Sequence, residues 1–245
     1  MIEAYLHHEA KRRAMGIPPL PLDDHQTREL RDLLITPPAG REELLLSILL
    51  ERIPPGVDPA ARVKAEFLAG IFTGEIASPL VTPRDAVRIL GAMLGGYNIR
   101  PLIQAIKLPE FAGEAVQALS RTTFVYDAFD EVLELSRTVP AARKVLQSWA
   151  SAEWFTSRPP LPETIRVRIF KVDGEINTDD FSPAGDAWSR PDIPLHALSM
   201  GRVRFPGGIE TIAALREAGD CVAFAGDVVG TGSSRKSACN SLLWH

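Results

Sequence analysis

Three prolines in four positions, Pro159, Pro160 and Pro162, cut this 245-residue chain into two stretches with different hydrophobic periods. Proline fixes φ and has no N–H to donate, so Ser157-Arg158-Pro159-Pro160-Leu161-Pro162 reads as a stiff, extended connection. Before it, apolar residues recur at helical spacing; after it, they alternate. The expected organisation is therefore a helical part over 1–156, a proline-rich linker over 157–163 and an α/β part over 164–245.

The first part reads as helix after helix. Ile2–Met15 is closed by Gly16 and Pro18-Pro19, Asp24–Leu34 by Pro37-Pro38, and Glu42–Arg52 by Pro54-Pro55-Gly56. Asp58-Pro59 and Thr82-Pro83 are start signals, a capping side chain followed by proline at the first helical position. Further helices are expected over roughly 110–120, 124–137 and 140–155. Short helices with short connectors and no intervening strand fit an α-solenoid of stacked pairs, with a compact bundle as the alternative.

In the second part, Thr164–Val172 alternates, which predicts a strand that buries Ile165, Val167 and Ile169. A helix over Ile209–Glu217, a strand over Cys221–Ala225, a glycine turn over Gly226–Gly232 and a helix over Ser234–Trp244 follow. An α/β layer of so few strands is expected to be incomplete: either a fragment, or a domain that another chain completes.

Composition narrows the function. A formal net charge of −4 offers no electrostatic case for nucleic acid. The N-terminus lacks the apolar core of a signal peptide, and no apolar stretch reaches the ~20 residues of a membrane span, so the expected location is the cytoplasm. Cys221 and Cys239 stand in no metal-ligand spacing and read as small, half-buried residues; no metal is expected on this chain.

The chemistry concentrates in Gly230-Thr231-Gly232-Ser233-Ser234-Arg235. The glycines permit a sharp turn and close backbone approach to a ligand. The helix start offers free N–H groups and the positive end of a dipole. Two hydroxyls and an arginine able to grip a carboxylate with two parallel bonds complete an anion site. The spacing is neither that of a Walker loop nor that of a dinucleotide fold; the alternative is a plain structural turn. Asn177-Thr178-Asp179-Asp180 and Trp188-Ser189-Arg190-Pro191-Asp192 are further candidates, the first also readable as a cap and the second as a solvated loop.

Two segments carry a resemblance. FKVDGEINTDDFSPAGDAWSRPDIPLHAL (170–198) and AGDVVGTGSSRKSACNSLLW (225–244) resemble the swivel domain of the B-type aconitases. PPGVDPAARVKAEFLAGI (54–71), LGAMLGGYNIRPLIQA (90–105) and QSWASAEWF (147–155) resemble that family's N-terminal HEAT-like domain. The resemblance implies a multidomain protein, α then α/β, with a HEAT-like solenoid ahead of an incomplete swivel domain. It implies a hydro-lyase of the tricarboxylic acid cycle that interconverts citrate and isocitrate through cis-aconitate, with 2-methyl-cis-aconitate as a further substrate, on a [4Fe–4S] cluster. Ser233 would be the base; Ser233, Ser234, Arg235 and Arg190 would bind substrate; Asp179 would support them. The cluster cysteines lie in later domains of the family, so this chain alone is expected to bind no cluster and to be inactive until the remaining aconitase domains join it. The stretch 200–209 is shorter than the family leads one to expect. A homodimer through the helical domain, and mRNA bound by cluster-free protein, are the other partners implied. Lys11, Arg12 and Arg13 are basic residues that could serve RNA, or simply form a solvated helix face. The competing reading from another class is an interaction module in which the solenoid binds protein or RNA.

Overall fold

The computed structural model describes every residue except Thr123, Phe124, Tyr126, Asp127, Pro191 and Asp220. It divides into two compact units, Met1–Lys11 with Pro19–Pro159, and Arg12–Pro18 with Pro160–His245.

Helices make the first part: α1 Ile2–Arg13, α2 Asp24–Ile35, α3 Glu42–Glu51, α4 Pro59–Thr73, α5 Pro83–Gly91, α6 Ile99–Ala105, α7 Ala112–Arg121, α8 Phe129–Leu135, α9 Pro140–Ala150 and α10 Glu153–Thr156. The start signals act as expected. Asp58 accepts the N–H of Ala60, and Thr82 accepts that of Asp85. Asp23 adds a capping box with Gln26 ahead of α2. Packing runs in a progression, α2 on α4, α4 on α5, α5 on α7 and α7 on α9. It buries Leu30, Leu45, Leu68, Leu90 and Leu102 completely.

Two helices differ from expectation. The helix expected over 140–155 breaks after Ala150, because the Ser151 hydroxyl bonds back to Gln147 O at 2.9 Å and Ala152 turns left-handed at φ 53°. Helix α6 was not foreseen; Gly95-Gly96 and Pro101 disguise it, although proline is tolerated in a first turn. The expected start of the 124–137 helix at Phe124 lies outside the described residues.

The second unit is α/β. Strand β1 (Val167–Lys171) runs parallel to β3 (Cys221–Ala225), and β2 (Glu175–Asn177) runs parallel to β4 (Val228–Thr231). Helices α11 (Thr178–Phe181), α12 (Ile193–Ala197), α13 (Gly208–Glu217) and α14 (Arg235–Trp244) complete it. Its core is aromatic. Phe170 meets Phe205 and Phe224 edge-on at 5.4 Å, and Phe181 meets Phe224 at 5.3 Å and 89°.

That core corrects the reading of the first strand. Ile165, Val167 and Ile169 are 67%, 39% and 55% exposed, whereas Phe170 and Val172 are buried. The strand turns its aromatic side inward because Phe205, Phe224 and α13 lie there. A one-residue shift in facing moves every side chain to the other side, and the larger ring wins the core. The expected turn over Gly226–Gly232 also differs: Val228–Thr231 is a strand of its own.

Candidate carboxylate-binding site

Parallel pairing of β2 with β4 sets Asn177 opposite Thr231, so two segments more than fifty residues apart meet at the ends of their strands. The register is irregular between Ile176 and Asn177, where β4 carries Gly230 at φ 88°. Asn177 then caps α11, accepting the N–H groups of Asp179 and Asp180 at 2.8 and 2.9 Å. Asp180 closes the box by accepting the Asn177 N–H at 2.9 Å. The structure thus gives Asn177 and Asp180 the capping alternative.

Gly232 sits at φ 103°, and a Cβ there would collide with Thr178 Oγ1. Only glycine lets the turn lie this close to α11. Thr178 Oγ1 accepts the Ser234 N–H at 3.3 Å, and the Ser234 hydroxyl lies 3.5 Å from Asp179 Oδ1 as donor. Ser234 stands at the N-cap of α14 without a side-chain cap bond. Ser233 and Arg235 are exposed beside the start of a ten-residue helix. Ser233, Ser234, Arg235 and Asp179 therefore form one neighbourhood. Thr178, which the sequence reading passed over within Asn177–Asp180, joins it.

Arg190 reaches the same helix one turn further along. It lines a hollow of about 260 Å³ with Ser182, Asp192, His196, Ser237, Asn240 and Ser241. Its Nη1 donates to Leu195 O at 3.3 Å, and its backbone N–H bonds to Asp186 O at 2.9 Å. It is half-buried, not the solvated loop residue of the bland reading. Pro191 lies outside the described residues. Ser237, Asn240 and Ser241 escaped notice in the sequence. The polar spacing Ser234, Ser237, Ser241 along one helix face is the signal that could have found them. A larger hollow of about 670 Å³ lies among Ile106, Val116, Val139 and their neighbours in the helical unit and touches none of these residues.

Cys221 and Cys239 are both exposed free thiols, which corrects the expectation of half-buried residues. No group of three or more His, Cys, Asp or Glu placed to hold a metal occurs among the described residues. The donor set for an iron–sulfur cluster is therefore not met by what the structure describes. No helix among the described residues is long and apolar enough to cross a membrane.

A helical unit, a small parallel α/β unit and a hydroxyl-rich helix start beside two arginines are what this chain has to be matched with. Residues 4–155 match the family described as "Aconitate B N-terminal domain", and residues 167–245 match "Aconitate hydratase 2 N-terminus". Aconitate hydratase B of Synechocystis sp. is 53% identical over 247 residues, covering all of this chain and 28% of that protein. The Escherichia coli protein of the same name is 53% identical over 255 residues, covering all of this chain and 30% of its own length. That of Helicobacter pylori is 45% identical over 246 residues, covering 29% of its length. The chain belongs to the aconitate hydratase B family and corresponds to the N-terminal part of its relatives. It spans under a third of the length of those proteins.

Proposed function

We propose that this chain supplies the substrate-gripping side of a B-type aconitate hydratase, a hydro-lyase that interconverts citrate and isocitrate through cis-aconitate. The observation that carries the reading is the meeting of Gly230–Arg235 with Thr178 and Asp179 at the start of α14. Ser233 is the base that takes the proton beside a carboxylate. A neutral serine hydroxyl is far too weak for this, so Ser233 must act as the alkoxide, which the helix-start N–H groups and the Arg235 cation stabilise and which becomes the hydroxyl on taking the proton. Arg235 and Ser234 hold one carboxylate, and Arg190 a second. Asp179 orients Ser234 through its hydroxyl. In the complete enzyme a [4Fe–4S] cluster held by other domains supplies Lewis acidity. This chain's own part is to bind carboxylates and to hold a proton at Ser233 Oγ, and alone it gives no turnover. The same site takes 2-methyl-cis-aconitate. The helical unit is a HEAT-like solenoid, a reading supported by the stepwise packing from α2 to α9.

The test is to join this chain to the remaining domains of a full-length relative and follow cis-aconitate formation from citrate. Ser233→Ala should cost roughly 10²–10⁴ in kcat. Arg190→Ala should raise KM by about tenfold or more, the worth of a charge-assisted bond. Full activity in Ser233→Ala, Arg190→Ala and Arg235→Ala alike would remove the site assignment.

A further inference from the structure

The basic run Lys11-Arg12-Arg13 reads in the sequence as a solvated face or an RNA contact, and Arg12 is neither. It belongs to the second unit and is only 6% exposed. Its Nη1 and Nη2 donate to the two carboxylate oxygens of Asp192 at 2.9 and 2.7 Å, while its Nε donates to Pro18 O at 2.8 Å. This is the two-bond guanidinium–carboxylate fork, fixed on a third edge by a backbone carbonyl.

The pair continues toward the hollow that holds Arg190. Asp192 Oδ1 also accepts the Leu195 N–H at 3.1 Å, capping α12. Leu195 O in turn accepts the Nη1 of Arg190 at 3.3 Å. Arg12, Asp192, Leu195 and Arg190 thus form one hydrogen-bonded series ending on a guanidinium. The bond from Arg12 is the largest influence holding the Asp192 carboxyl below its ordinary range; burial opposes it, and the Leu195 N–H assists it. A buried ion pair adds little net stability compared with an apolar pair of similar size. What this fork provides is fixed geometry, delivered to a short segment whose functional side chain has a backbone carbonyl as its acceptor.

We propose that Arg12 is a positioning residue for Arg190: by clamping Asp192 it holds the start of α12, whose Leu195 O receives the Arg190 guanidinium, so that this guanidinium faces the hollow against α14, ready for a carboxylate. The inference rests on the reading of Arg190 as a substrate contact.

The experiment uses the full-length fusion described above, with citrate as substrate, and measures KM and kcat separately. Arg12→Met should raise KM about tenfold with kcat per folded enzyme nearly unchanged. Arg12→Lys, which keeps the charge but loses the fork, should fall in between. Asp192→Asn keeps a cap for Leu195 and should resemble Arg12→Lys, which preserves a readout if Arg12→Met folds poorly. Arg12→Met placed in an Arg190→Ala background should add almost nothing, because both changes act through one guanidinium. A strut that only stabilised the fold would reduce the amount of active enzyme and leave KM alone. If Arg190→Ala raises KM while Arg12→Lys, Arg12→Met and Asp192→Asn do not, positioning by Arg12 is overturned and the substrate contact stands. If the Arg12 and Arg190 effects multiply, positioning is again overturned. If Arg190→Ala itself leaves KM unchanged, the substrate reading fails, and the positioning role fails with it.

Discussion

Gly230 and Gly232 are equivalent in the sequence motif, and both take positive φ, but their surroundings differ. Gly230 has open space where a Cβ would go, while Gly232 faces Thr178 Oγ1. Alanine at either position meets backbone strain of about 1–3 kcal/mol. Only at 232 does a collision add to it, so Gly232→Ala should cost at least about 1 kcal/mol more than Gly230→Ala in urea denaturation; equal losses would remove the close approach from the account. Lys64 poses a different single-residue question. It is 6% exposed, donates to Leu49 O at 2.6 Å, and desolvation pushes its pKa down to about 8. The unfolded chain holds that proton more tightly than the folded one. Below pH 8 both states are protonated and the full cost is present; between 8 and about 10.5 the folded state releases its proton first and the cost fades. The stability of the native chain relative to Lys64→Met should therefore rise by roughly 2 kcal/mol from pH 7 to 10. A difference that stayed flat over that range would mean Lys64 is not desolvated. The chemistry of Ser233–Arg235 was legible in the sequence because glycines, hydroxyls and arginine stand next to each other. The partner Thr178 was not, because only strand pairing puts it there.

At the scale of the element, β1 tests how far alternation can be trusted. The pattern marks two faces without saying which one is covered. The inward face belongs to Phe170, which joins Phe205 and Phe224. Phe170→Ala should cost about 3–5 kcal/mol, and Ile169→Thr within about 0.5 kcal/mol, the reverse of what the alternation of isoleucine and valine implies. Thermal melts of the two variants decide it; comparable losses would mean Ile169 has cover. Helix ends were far easier to read. Asp58-Pro59 and Thr82-Pro83 carry their geometry in two adjacent residues. The break at Ser151–Ala152 needed a side chain bonding four residues back.

For the whole molecule, the change of period at the prolines coincides with a change of packing. Contacts cluster into one helical unit ending at Pro159 and one α/β unit resuming at Pro160, apart from residues 12–18. Residues 157–166 form no helix or strand and are exposed throughout. Brief trypsin treatment should cut first at Arg166, giving two large fragments before smaller ones. Uniform digestion along the chain would argue against two units. The assignment of Arg12–Pro18 to the second unit was invisible in the sequence, since a run of basic residues at a helix end looks like surface.

The parallel pairing of β2 with β4 also has a consequence in time. Hairpin turns assemble from neighbours within microseconds, but parallel strands must wait for the intervening chain to be folded back. Asn177 and Thr231 meet only after the loop between them has closed. The glycine turn ahead of α14 is thus among the slow events of folding. A refolding chain should regain its helical signal well before Ser233 and Arg235 stand where a ligand could find them.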